Sequence, residues 1–283
     1  MARINPKTIY TVAKKEFMDN VRNRWIIVLT IIFILLIIIF SYVGGAGSFG
    51  NMQITTLGLL IVTSLLIPLI AIILGYATIA GEAQSGALYV VLSYPVKRIE
   101  VLLGKFIGLG SVIILSIFLG FGVGGLFIAG TVGTEALSGF IGAIFLSIIL
   151  GLLYLSCIMC ISAFCKRRSR AIAGGIILIF WGMIYGSVIM GVLYGAGYDF
   201  NDFATGDVPE WFFNTAVFSP QDLHQVAVMR AFNIDTISMD MPGQQLEFAI
   251  PEFLNMGMIL IVHLIWIIVP FLLAIYFFNK RDI

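Results

Sequence analysis

The chain has 283 residues, of which 60% are hydrophobic and 11% charged, with a mean hydropathy of +1.07. Those values exclude an ordinary soluble domain and point to membrane spans. The net charge of +1 is uninformative alone, but every basic cluster abuts an apolar run and no nucleic-acid signature is present.

In chain order, the first 24 residues are polar and amphipathic. Asn5-Pro6 reads as an N-cap followed by proline at the first helical position. Ile9, Val12, Ala13, Phe17 and Val21 share one helical face, with Lys14, Lys15 and Asp19 elsewhere. This pattern predicts a helix lying in the interface, turned into the membrane at Arg22, Arg24 and Trp25; a plain basic anchor is the alternative. No cleavable signal peptide is expected.

Six apolar runs follow, near 25–43, 55–80, 102–129, 139–164, 171–196 and 254–278. Each can cover the ~30 Å hydrocarbon layer at 1.5 Å per residue. Backbone groups in lipid must be paired internally, so continuous runs predict helices and an all-α integral membrane fold. Residues 1–283 are expected to form a single transmembrane domain.

Several residues within the spans stand out. Pro68 is the one proline read inside a span; it removes an N–H and should kink the helix, as a hinge or as a static bend. Glycines four apart (Gly104 and Gly108, Gly120 and Gly124, Gly182 and Gly186) permit close helix approach. Cys157 and Cys160 share a face with Met159 nearby, which fits helix packing or, less well, a soft metal site. Cys165 completes the three cysteines; none is in the long loop, so no disulfide is expected there. His263, read as lying near the middle of the last span, is a helix–helix hydrogen-bonding group or a gating or cargo residue.

Two loops carry signal. The loop at 81–101 contains Glu82, then Gly86 at a turn, a short apolar stretch with Leu88 and Leu92, Pro95 as a breaker, and Lys97-Arg98. The loop at 197–253 holds nine acids and the aromatic run Trp211-Phe212-Phe213. Ser219-Pro220 opens a helix there, with Asp222 in its first turn and Leu223 following.

Basic residues orient the spans. Of sixteen Lys and Arg, six lie in 1–24, three in 81–105, four in 165–170 and two in 280–283. All four patches fall on one side of a six-span arrangement, so both ends are expected in the cytoplasm and the acidic loop outside.

The series Glu82, Gly86, Leu88, Leu92, Pro95, Arg98, Gly104-Lys105 resembles the pattern of ABC-2-type permeases, the membrane halves of ATP-binding-cassette transporters. Ala13 to Glu16, Arg22 to Trp25 and Ser219 to Asp222 extend the likeness over nearly the whole chain. Within that family it is most similar to permeases of the nitrous-oxide-reductase maturation (Nos) group, although Gln84 and Ala87 replace an expected acid and threonine.

The resemblance implies that 81–101 is a coupling segment docking on a separate ATPase. It assigns Lys14, Glu16, Glu82, Gly86, Leu88, Leu92, Pro95, Arg98 and Lys105 to that interface. It implies an ATPase dimer holding ATP and Mg, a second copy of this chain as homodimer partner or a closely related second permease, and a place in the cytoplasmic (inner) membrane. Trp211, Phe212, Asp222 and Leu223 would face an extracytoplasmic partner or exit, and the Nos likeness implies a link to metal or sulfur delivery. The chain has no phosphate-binding loop of its own, so no bound cofactor is expected on it. A secondary transporter or channel is the alternative. An intramembrane enzyme fits less well, because convergent polar catalytic groups are not evident.

Overall fold

The computed structural model describes residues 4–46, 52–131, 137–199, 202, 208–234, 236–241 and 244–281. Helix α1 (Pro6–Val21) begins as Asn5-Pro6 predicts: the Asn5 side chain accepts from the Lys7 amide at 3.1 Å, and proline occupies the first turn. A bend of 68° separates it from the apolar α2 (Arg24–Ala46). Next come α3 (Met52–Gly75), the short α4 (Ala80–Ser85) and α5 (Ala87–Leu92), then the long α6 (Arg98–Thr131), α7 (Leu137–Phe164) and α8 (Arg168–Gly195).

Beyond α8 lie α9 (Glu210–Asn214), a 3-10 turn (Thr215–Phe218) and α10 (Pro220–Ala231). An antiparallel ribbon of β1 (Thr236–Met241) and β2 (Gln244–Ala249) precedes the last helix, α11 (Met256–Lys280). The ribbon departs from the all-α expectation. Five of the described helical segments are long and apolar enough to cross a membrane, or six if the bent α1–α2 pair is one span.

Helix α7 is the axis of the bundle. Leu146, Leu150, Leu153, Tyr154, Ile158 and Met159 are all buried on it, and α3, α6, α10 and α11 pack around it. Helix α2 leans on α6, where a Cβ at Gly120 would fall 2.2 Å from the Phe33 ring. That ring then meets Phe121 edge-on at 5.6 Å, and Thr30 donates to Ser116 at 3.0 Å beside it. Gly124, the partner of Gly120 in its pair, has no described side-chain surroundings. Helices α8 and α11 are peripheral: 17% and 22% of their spans are buried, against 67% for the span through α3.

Prolines do not break these spans. Helix α3 continues through Pro68, and its departure from helical form comes later, at 76–79. There the Ser162 hydroxyl of α7 accepts from the Ile79 and Ala80 amides at 3.2 and 3.0 Å and donates to the Tyr76 carbonyl at 2.9 Å. A buried backbone break is thus satisfied by one side chain. Pro68 is also not alone: Pro270 lies inside α11, which likewise continues through it. Proline cannot serve the carbonyl four residues earlier. That carbonyl, of Trp266, lies 4.0 Å from the Cys157 thiol, and Ser156 donates to the adjacent Ile267 carbonyl at 2.6 Å.

Candidate functional site

The basic ends of the helices converge on a buried ion cluster. Lys105 of α6 is 2% exposed, yet its ammonium lies 2.8 Å from a Glu16 oxygen of α1 and 2.5 Å from a Glu82 oxygen of α4. Lys15 adds a contact of 3.3 Å to Glu16. Burial works to raise the Glu16 carboxyl, but Lys105 and Lys15 outweigh it and hold Glu16 below the usual carboxylate range. One lysine therefore ties three elements together.

Two glycines make this approach possible. A Cβ at Gly104 would fall 2.6 Å from Val12, and one at Gly108 would fall 2.5 Å from the Ala13 carbonyl oxygen. The pair seats α1 against α6, so its partner is the amphipathic helix rather than another span. Glu100 adds a second tie: its carboxylate accepts from the Asn5 amide at 2.8 Å and the Lys97 amide at 3.1 Å. Sequence reasoning passed over Glu100, although an acid three residues after a helix cap is the mark of a capping box.

Arginines close the helix C-termini of this end. Arg98 donates to the carbonyls of Phe278, Asn279 and Arg281 at 2.6, 3.2 and 2.8 Å, at the end of α11. Arg281 donates to those of Ser162, Ala163 and Cys165 at 3.4, 3.3 and 3.0 Å, at the end of α7. Each supplies donors to orphan carbonyls and opposes the negative end of a helix dipole. At the start of α8, the Arg168 amide donates to Gln84 at 3.2 Å, and its guanidinium stacks over Tyr76 at 5.0 Å while donating to the phenol oxygen.

Gly86 ends α4 and begins α5 with φ 82, a left-handed conformation that L side chains resist. The turn directs Leu88 inward, where it is 0% exposed, while Tyr89, Val90 and Tyr94 are 55%, 63% and 65% exposed. Leu92 is half-buried, and Pro95 and Lys14 are exposed. Three expected interface residues therefore need correction. Leu88, Glu16 and Lys105 lie inside the chain's own packing and present no surface to a partner.

The opposite end differs from expectation. Helix α10 packs into the bundle, with Leu223 1% exposed and His224 0% exposed. Leu223 is therefore unavailable to an outer partner, and Asp222 is half-buried beside Gly186, 3.4 Å from a Cβ placed there. Gly182 similarly makes room for Gln221 and Tyr154, whose polar atoms are 3.4 Å apart. Trp211 is exposed and Phe212 half-buried.

The 3-10 turn is pinned to the bundle. Carbonyls of Thr215, Val217 and Phe218 accept from Tyr185, Trp266 and Trp181 at 2.8, 3.1 and 3.2 Å. Arg230, the loop's lone basic residue, donates to the Ile250 and Pro251 carbonyls, both at 3.1 Å.

His263 is the eighth residue of a 25-residue helix, roughly 10 Å from its start rather than near its middle. Its Nδ1 lies 2.8 Å from the Ile259 carbonyl, while its Nε2 and both nitrogens of His224 have no partner among the described residues. Cys157 is buried and Cys160 half-buried. Among the described residues, no three His, Cys, Asp or Glu side chains converge as metal ligands would.

The family model for ABC-2 family transporter protein matches residues 10–283. The chain is 37% identical over 125 residues to the probable ABC transporter permease protein NosY of Stutzerimonas stutzeri, covering 43% of this chain and 45% of that protein. It is also 37% identical over 128 residues to the protein of the same name from Pseudomonas aeruginosa, covering 44% and 46%. The chain thus matches a little under half the length of these relatives. With its long apolar helices and a family match over nearly every residue, the chain belongs to the ABC-2 family of transporter proteins, as a multi-pass membrane permease.

Proposed function

We propose that this chain is the transmembrane half of an ATP-driven transporter, with ATP and Mg handled by a dimer of separate ATPase subunits. The observation that carries the reading is the Lys105 cluster, which joins α1 and α6 to α4, the helix that continues through Gly86 into the exposed α5. A push delivered to Tyr89, Val90 and Tyr94 passes through Gly86 into α4 and from there, through Lys105, into α1 and α6. Lys14, exposed on α1, extends the docking surface.

The basic clusters support a cytoplasmic-side location, at the inner membrane, for this end and for both termini. The lightly buried α8 offers an apolar face for a second copy of the chain. Trp211, exposed at the other end, suits an extracytoplasmic partner. The likeness to NosY supports a role in metal or sulfur delivery for metalloenzyme maturation, by translocation or by mechanical signalling. The passage of α3 and α11 through their prolines lends nothing to a broken-helix secondary transporter.

Mild-detergent purification from native cells tests the reading. A phosphate-loop ATPase should co-purify near stoichiometrically, and Tyr89→Asp/Val90→Asp should retain about tenfold less of it with an unchanged elution profile. Equal ATPase recovery with that variant would remove α5 as the docking surface. Recovery of the intact chain alone, in detergents that preserve such complexes, would remove the ATPase partner.

A further inference from the structure

A cavity of about 450 Å³ opens at the basic end of the bundle, between α5 and the C-termini of α7 and α11. Tyr89, Phe164 and Phe277 form its aromatic walls, and Lys166, Lys280 and Arg281 its charged rim. Among the described residues, none that lines it is a carboxylate. Its size falls within the range of small-ligand sites. Neither the ion cluster nor the exposed ridge of α5 accounts for three cations gathered around aromatic rings.

The geometry points to a binding site for the headgroup of an anionic phospholipid. Arg281 is held in place on that rim, since its guanidinium is engaged by the carbonyls that end α7. Lys166 and Lys280 are exposed, and the Lys280 ammonium is held 4.5 Å from the centre of the Tyr276 ring. From Lys280, the exposed side chains of Tyr276, Leu273 and Val269 descend α11 at helical spacing. Phe164, 68% exposed at the end of α7, meets Phe277 edge-on at 5.1 Å.

The site therefore has the two halves a phospholipid requires. Cations and aromatic rims lie at the headgroup level, and an apolar track for an acyl chain runs into the hydrocarbon. An acidic protein segment would satisfy the cations but make no use of the track. A soluble phosphate would use neither the track nor the rings.

The intact protein, with any subunit that stays bound, is placed in phosphatidylcholine nanodiscs doped with phosphatidylglycerol of the same acyl chains. Lipid retained after mild delipidation is counted by native mass spectrometry. Phosphatidylglycerol should be retained over phosphatidylcholine. Lys166→Gln/Lys280→Gln should lower that retention roughly tenfold, while the charge-matched Arg167→Gln/Arg170→Gln keeps it. Excess glycerol phosphate should leave it unchanged.

Equal retention of the two lipids by wild type, or equal phosphatidylglycerol retention by the lysine variant and wild type, would overturn the proposal. Displacement by glycerol phosphate would assign the cavity to a soluble anion instead. Displacement by added ATPase subunit would assign it to that partner. Both lysines are exposed, so the variants should elute as wild type does.

Discussion

The two ends of the bundle bury polar groups in opposite ways. At the basic end, Lys105 meets Glu16 and Glu82, and Arg98 and Arg281 meet helix-terminal carbonyls. Buried charge there joins elements far apart in sequence. At the other end, Tyr154 and Gln221 share one long contact, and three histidine nitrogens of His224 and His263 have no partner among the described residues. Moving the basic end apart would strand charges in a low dielectric, whereas moving α10 against α7 and α11 forfeits few hydrogen bonds. The first end is tied across its elements by charge, whereas at the second α10 is held mainly by packing, with the turn before it pinned by Tyr185, Trp181 and Trp266.

The sharpest way to break this contrast is Lys105→Met. It leaves the buried Glu16 with only the exposed Lys15 and takes Lys105 from the partly buried Glu82, and should lower stability by about 3 kcal/mol. Thermal unfolding in detergent reads it. Adding Glu16→Gln and Glu82→Gln should restore part of the loss, and no restoration would count against the cluster as the tie. Next in size, Gly108→Val overpacks against the Ala13 backbone and should destabilise by about 1–3 kcal/mol. Faster hydrogen exchange in α1, with α7 unchanged, would mark the detachment; uniform exchange would not.

At the other end the expected effect is smaller and depends on pH. Burial, with the nearby His263, pushes His224 down to about 3. Its neutral form thus contributes stability that is whole above the unfolded value of about 6.5 and is lost as pH falls from there towards 3. His224→Leu should flatten that slope, as read by unfolding between pH 7 and pH 5. The comparison separates it from Asp222, whose carboxyl burial raises and whose contribution runs the other way with pH. Least of all, Arg281→Gln should cost about 1 kcal/mol through the uncapped end of α7. A loss as large as that of Lys105→Met would erase the distinction between tie and cap.

Much of the architecture was legible because lipid imposes a coarse rule: an apolar run long enough to span reads plainly. Asn5-Pro6 and Ser219-Pro220 also gave their helix starts, since capping is local chemistry, and both side chains accept the expected amides. Partners across space were another matter. Gly104 and Gly108 announce a close approach but not to which helix. Glu16 reads as polar and was placed at a surface, because its cation stands 89 residues away. Helix α10 has the composition of a loop, so its descent into the bundle was invisible; only the tertiary contacts of Leu223 and His224 reveal it. Pro270 was in plain view and overlooked.

The seating of α1 also bears on how the protein is made. Its contact surface on α6 is not synthesised until Gly104 and Gly108 emerge, some 95 residues after Ala13. At roughly 5–20 residues per second, α1 waits on the order of 5–20 s for its seat. During that interval its apolar side has no protein to lie on. An amphipathic helix can rest on the bilayer surface until α6 arrives. The same face of α1 thus serves twice, first against lipid during biogenesis and then against glycine.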